Sequence, residues 1–415
     1  MTPPWRSALP IEPEAFARVR RRAIFDCCKW DPQVEDVATL APFPLLLPRA
    51  VWDEIATFAE ALAAEAAEAE VELVRRPELH RRLGLPRAVR RALRGAAHEG
   101  ASRGAARVMR FDFHATTEGW RISEVNSDVP GGFNEASGFA RLIASHYPGA
   151  EPPGDPAARL ADAVAAATPP EGTVALVHAT AYTDDRQVMV YLAREIAARG
   201  LRPVLAGPDH LRWRGGRATV ESEGFRGPAD FVVRFFPAEW LPNLPRSSAW
   251  ERFFHGAETP LCNPAYALLT QSKRFPLVWD HLRTALPTWR RLLPETRDPR
   301  DAGWRKDAGW VLKPALGRVG DMIGLSGATG DKEWKLIRKD VRWYPGYWVA
   351  QRRFAAEPLR TAEGDVYPCI GIYTVDGRAA GAYGRAARRP LIDHLAQDVA
   401  VLIEPEGSDE RIRAV

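Results

Sequence analysis

The stretch from Met109 to Gly132, MRFDFHATTEGWRISEVNSDVPGG, constrains the fold more than any other part of the chain. Apolar and polar residues alternate on both sides of ATTEG, the period of two β-strands joined by a turn. Arg110 and Asp112 share one face of the first strand, and Glu124, Asn126 and Asp128 share one face of the second. A turn centred near Glu118 predicts antiparallel pairing in which Asp112 faces Glu124 and Arg110 faces Asn126. Two carboxylates directly across a strand pair repel and weaken the sheet. Together with an amide oxygen they also make a hard, all-oxygen site for magnesium or manganese, and an arginine beside them suits a phosphate bridging the metals. A solvated polar hairpin face is the competing reading. The loop that follows, DVPGGFNE, holds Asp128, Gly131, Gly132 and Glu135. Its glycines allow backbone N–H groups to approach a substrate, and a plain turn fits equally well.

Elsewhere the chain alternates between helical and strand patterns. Residues 51–73 are rich in Ala and Glu at helical spacing, and 86–99 form an arginine-rich helical stretch. Proline clusters at 151–156 and 168–172 bracket a short helix. From Thr173 a strand, a helix over about 185–198, Gly200 and a strand RPVLAG make a βαβ unit, and DFVVRFF at 230–236 extends a parallel sheet. No glycine fingerprint follows the first strand, which disfavours a dinucleotide site. Beyond Asn263 we expect a helix carrying Lys273, a strand WVLKP, and a strand over 347–354. A hairpin turning at Asp376-Gly377 follows. Lys313 at a strand end, with Gly317, Arg318 and Gly320 after it, suits a phosphate clamp but is no Walker A loop. Gln351 could present its amide to a base edge and Arg385 could reach a phosphate; each also reads as an ordinary polar surface residue.

Composition narrows the function classes. The 415 residues carry 57 Lys+Arg against 53 Asp+Glu, are 46% hydrophobic and 27% charged, and so describe a globular chain of two or three domains. A net charge of +4 with mixed signs argues only weakly for nucleic acid and hardly at all for membrane, so we expect neither as a partner. No stretch reaches the ~18 uncharged apolar residues of a membrane helix, and the start has no apolar signal region, so we expect a cytoplasmic protein. Cys27, Cys28, Cys262 and Cys369 form no CxxC pair, and neither HExxH nor GxSxG occurs. Lysine is scarce, at positions 29, 273, 306, 313, 332, 335 and 339 only. A lysine retained where arginine is the rule can mark a need for a compact ammonium, although most of these cluster after 306 as a solvated surface would.

Taken together, Arg110-Phe111-Asp112, Glu124-x-Asn126, Lys273, KPALGRVG, VAQ and GAYGR resemble the synthetase domain of glutathionylspermidine synthase and its relatives. These are circularly permuted ATP-grasp ligases. KWDPQVED at 29–36 and the CNP–SK segment at 262–273 extend the resemblance over roughly 25–400. It implies a mixed α/β fold, a circularly permuted ATP-grasp with a preATP-grasp-like βαβ domain. The division would be 1–105 helical and β portion of the ATP-grasp body, 106–150 metal-binding hairpin and substrate loop, 151–262 βαβ domain, and 263–415 nucleotide-binding portion. Asp112, Glu124 and Asn126 would hold Mg2+, two ions in all, against the phosphates of ATP. Arg110 would contact the transferred phosphoryl group. Lys273 and Lys313 would grip the phosphates, the Gly317–Gly320 loop with Arg318 would close over them, Gln351 would lie near adenine, and Arg385 would reach the phosphates.

The implied activity is ATP-dependent joining of a small-molecule carboxylate to an amine through an acyl phosphate, with release of ADP and phosphate. The expected alternatives are a phosphotransferase on the same scaffold and a binding protein that keeps the fold without turnover. At 415 residues the chain is expected to lack the cysteine amidase of the bifunctional members. It also reads SDVPGG where polyamine-linked members carry a threonine-bearing segment, so a different carboxylate and amine are expected. Asp112→Ala and Glu124→Ala are expected to abolish metal-dependent ATP use while ligand-free stability stays similar or rises.

Overall fold

In the computed structural model, which describes residues 4–31, 33–34, 37–99, 106–222, 224–317, 322–362 and 364–404, the alternating segment forms two antiparallel strands, Val108–Thr116 and Gly119–Asn126. Arg110 pairs with Asn126 and Asp112 with Glu124. The register then shifts, because Phe113 pairs with Ile122, which leaves Ser123 as an extra residue in the second strand. Such a bulge re-aims a side chain or frees a carbonyl. The hairpin joins a larger antiparallel sheet in the order Gln397–Val399, Arg378–Ala387, Gly364–Val375, Val108–Thr116, Gly119–Asn126, and Leu359–Thr361 pairs with Gly364–Val375. The tight turn between its two long C-terminal strands is Asp376-Gly377, with φ of 49° and 77°. Two left-handed residues match the twist of a two-residue hairpin, which is why Asp-Gly stands there.

Helix Arg49–Val74 covers one face of this sheet. Ile55, Ala59, Leu62, Ala66, Ala69 and Leu73 recur at helical spacing, and all are fully buried in one core with Phe111, Phe113, Ile370 and Ile372. Alternation along the strands therefore sends Arg110, Asp112, Glu124 and Asn126 to the other face.

A second sheet is wholly parallel, in the order Leu261–Cys262, Phe231–Phe235, Thr173–His178, Arg202–Ala206. Its helix Thr183–Ala197 starts two residues earlier than the pattern suggested, with Asp184 and Asp185 in the positively polarised first turn. A third, antiparallel sheet runs Thr296–Arg297, Trp348–Arg352, Trp310–Pro314, Gly324–Leu325, and helix Asp331–Trp343 buries Ile337 and Val341 against Trp310, Leu312 and Trp348.

Some elements differ from expectation. Lys273 is not on a helix: the short helix Leu268–Gln271 ends before it, and its N–H donates to the Ala315 carbonyl at 2.9 Å. The three-stranded meander Leu211–Arg214, Arg217–Ser222, Phe225–Ala229, and the strands Gln397–Val399 and Val401–Ile403, had no counterpart in the sequence reading. Among the described residues, no helix is long and apolar enough to cross a membrane.

Candidate active site

Arg110 organises the polar face of the hairpin. Its Nε and Nη2 donate to the two carboxylate oxygens of Asp112 at 2.8 and 3.0 Å, and Nη1 donates to the Gly131 carbonyl at 2.8 Å. This fork-to-carboxylate geometry is the strong form of the arginine pair. The guanidinium also lies 5.0 Å from the centre of the Tyr383 ring. Asn126 donates to the Asp112 carboxylate at 3.2 Å. Gly371 faces Asp112 on the neighbouring strand, and a Cβ there would stand 2.7 Å from Arg110 Cδ and 2.9 Å from Asp112 Oδ1. Glycine at 371 is what leaves room for the pair.

Glu124 accepts from Lys273 Nζ at 2.9 Å. Burial alone would push its carboxyl up, but Lys273 and then Lys313 outweigh burial and hold it below the usual carboxylate range. Lys273 also donates to the Gly317 carbonyl at 2.7 Å. Lys273 and Gly317 thus stand behind Glu124 and are not in the cavity wall.

Lys313 enters from the third sheet. Its Nζ donates to the Gln351 side-chain carbonyl at 2.8 Å and to the Ser123 carbonyl at 3.0 Å. The bulge leaves Ser123 out of the ladder, so its carbonyl is available to the ammonium. Burial pushes Lys313 down to about 8, against the pull of Glu124. Burial, with Lys313 nearby, likewise pushes His114 down to about 3, so His114 is neutral at ordinary pH. Gln351 donates to Thr296 Oγ1 at 3.1 Å, and Arg385 donates to the Asp393 carbonyl at 2.6 Å.

These groups line one cavity of 680 Å³, whose wall includes Arg110, Asp112, Glu124, Asn126, Gly131, Gly132, Glu135, Lys313, Gln351 and Arg385. That volume is in the range of a cofactor or nucleotide pocket. Arg318 and Gly320 lie outside the described residues. Asp128 is placed away from the cavity: it is fully buried, accepts from Arg234, and accepts from the Ala238 N–H at 2.9 Å.

Sequence reasoning missed a second polar cluster in the same wall. Lys29 is buried, with Nζ 2.6 Å from Glu135, 3.0 Å from Asp398 and 3.2 Å from Asp31. Burial disfavours its charge, but the three carboxylates overrule that and hold the ammonium well above its ordinary pKa. Tyr383 donates to Asp398 at 2.7 Å. The KWDP stretch and the scarcity of lysine carried a signal for Lys29 and Asp31. Nothing marked Asp398, whose short strand was not anticipated.

Whether the hairpin suits magnesium can be tested on its donors. Among the described residues, no three His, Cys, Asp or Glu side chains are grouped for a metal. An ion here would rest on two carboxylates and one amide. That set fits magnesium, which keeps several waters and takes one or two carboxylates plus substrate phosphates. The opposed pair Asp112–Glu124 is balanced by Arg110 and Lys273, and Gly371 leaves the room that Arg110 needs beside Asp112.

Two antiparallel sheets that close on one cavity, carboxylates on the first and a lysine on the second, place the chain in the ATP-grasp fold class. More narrowly, it belongs to the glutathionylspermidine synthase preATP-grasp family, whose model matches residues 47–404. Among solved structures it is similar to a glutathione synthetase-like effector from Globodera pallida in its apo form, at 12% identity and a TM-score of 0.63 over 95% of this chain and 99% of that one. It also matches a putative gamma-glutamylcysteine synthetase from Methylobacillus flagellatus, at 12% identity and a TM-score of 0.44 over 78% and 86% of the two chains. No curated protein matches the sequence.

Proposed function

We propose that this protein is an ATP-dependent carboxylate–amine ligase. The observation that supports it is the meeting of Asp112, Glu124, Asn126 and Arg110 with buried Lys313 around one cavity, with Lys273 directly behind Glu124. Opposed carboxylates destabilise a sheet, and a nucleotide site gives a reason to keep them. Four buried thiols suit the reducing cytoplasm.

In the first step a substrate carboxylate oxygen attacks the γ-phosphorus of ATP, and the bond to the β–γ bridging oxygen breaks to release ADP. Lys313 would offer a positive charge to the phosphates, and Arg110 would contact the transferred phosphoryl group or the acyl phosphate. Magnesium held by Asp112, Glu124 and Asn126 would neutralise charge on the phosphates. In the second step the amine nitrogen attacks the acyl carbon, phosphate leaves, and the nitrogen loses its proton. Gln351 is suited to the adenine edge, Arg385 to the phosphates, and Gly131, Gly132 and Glu135 to the acyl and amine substrates. A segment closing from the Gly317 side would exclude water, which would otherwise hydrolyse the acyl phosphate.

The test uses the full chain with ATP, magnesium and pooled small carboxylic acids, with hydroxylamine as the amine. We expect ADP release accompanied by a hydroxamate, and neither with Asp112→Asn. ADP release that accompanies a stable phosphorylated product and no hydroxamate would make the protein a phosphotransferase instead. No ADP with any acid would leave it a binding protein.

A further inference from the structure

Helix Asp331–Trp343 and the residues just after it carry the largest run of exposed apolar side chains among the described residues. Leu336 is 59% exposed, Trp343 67%, Tyr344 59% and Tyr347 54%. Its buried side, Ile337 and Val341, packs against the third sheet, and Leu336 and Trp343 face outward. A shallow groove of 570 Å³ runs beside it, bordered by Met322, Leu336, Lys339, Asp340, Trp343 and Tyr344. Monomeric proteins rarely display a contiguous apolar patch of this kind without a partner for it.

The charges on the helix identify the partner. Leu336 and Trp343 are seven residues apart and so lie on nearly one line, about 20° apart around the axis. Lys332 and Lys339 repeat at the same interval on one side of that line, and Glu333 and Asp340 on the other. Lys335, Arg338 and Arg342 lie farther round on the basic side, but an anionic membrane or an acidic polypeptide seated on the apolar line would still meet Glu333 and Asp340 beside it. A second copy of the helix, aligned parallel about a two-fold axis, matches both flanks of the line. Its acidic flank faces the basic flank of the first on both sides of the Leu336–Trp343 line, as e and g positions do in a parallel coiled coil. An antiparallel pairing would set lysine against lysine.

We propose that the outer face of helix Asp331–Trp343 is a self-complementary contact through which two copies of this chain associate in parallel. The seam is short, so association is modest. Asp340 accepts from Trp348 Nε1 at 2.7 Å, which keeps the flank in register with the sheet beneath.

Sedimentation of the full chain from about 1 to about 200 µM, the range of modest interfaces, tests this. The wild type is expected to pass from monomer to dimer across that range. Leu336→Glu and Lys332→Glu/Lys339→Glu are each expected to stay monomeric. So is Glu333→Lys/Asp340→Asn, in which the asparagine still accepts the indole N–H. The two charge variants mixed in equal amounts should form the heterodimer, which also shows that both are folded. A wild type that stays monomeric at the highest concentration overturns the proposal, as does a dimer that all three variants leave intact. Co-sedimentation of a monomeric wild type with phosphatidylglycerol vesicles overturns it in favour of a membrane.

Discussion

At the scale of single residues, Asp112 decides more than its carboxylate chemistry. Because Arg110 binds both of its oxygens and is largely withdrawn from solvent, removing Asp112 leaves a guanidinium with no carboxylate bound to it, held by the Gly131 carbonyl, Tyr373 and the Tyr383 ring. The sequence alone suggested that relieving two opposed carboxylates would leave stability unchanged or higher, and the geometry reverses that. Asp112→Asn is expected to cost roughly 3 kcal/mol in denaturant unfolding, the scale for breaking a buried pair, besides abolishing ADP release. Lys313 gives a second residue-level test. Its folded pKa of about 8 lies below the ordinary lysine value of 10.5. The unfolded state therefore binds more protons between those two pH values, and this group's contribution to stability rises with pH across that window. The proposed phosphate contact of Lys313 needs the charged form, so ATP affinity by calorimetry should be greatest below about pH 8 and fall by up to ~10-fold per unit above it. Lys313→Arg should flatten that fall.

At the scale of elements, glycine shows where backbones meet. A Cβ on Gly384 would stand 2.4 Å from the Val399 carbonyl, a contact no side chain can relieve. Gly384→Ala is expected to displace the edge strand Gln397–Val399 and with it Asp398, a partner of Lys29. A loss of about 1–3 kcal/mol and faster hydrogen exchange at residues 397–399 would register it, and unchanged exchange there would count against it. What could be read in advance follows the range of the interactions. The hairpin register was legible because period-two alternation and a turn are local. The bulge at Ser123 was not, since one extra residue alters no pattern and is fixed by Lys313 from another sheet. A helix was expected to carry Lys273, but the short helix Leu268–Gln271 stops before it and the Lys273 N–H is bound by Ala315, more than forty positions away. The meander over 211–229 was legible in principle, since Gly215-Gly216, with φ of 55° and 82°, is a two-residue turn of the same kind as Asp376-Gly377.

At the scale of the whole molecule, the cavity draws on separated stretches: Lys29 and Asp31, the hairpin and its loop, Lys313, Gln351, and residues 383–398. Individual members could be singled out because each sits in a recognisable local pattern. Their convergence depended on the sheet order, which no local pattern specifies. A ligand that bridges these stretches ties them together. ATP with magnesium at ~100 times its dissociation constant should raise unfolding free energy by about 2.7 kcal/mol, read as a rise in Tm, and Lys313→Ala should abolish most of the rise.

The sheet order has a further consequence for the chain as it emerges from the ribosome. Val108–Thr116 hydrogen-bonds on one side to its hairpin partner and on the other to Gly364–Val375, made some 250 residues later. Until that strand arrives, the nascent protein carries an open, strand-shaped edge, a template for wrong pairings. Arg110 and Asp112 sit on the same open edge. Ribosome-bound intermediates stalled before residue 364 should therefore depend on chaperones and lack the proposed nucleotide binding, because the cavity is completed only when residues 371–398 fold back onto the hairpin.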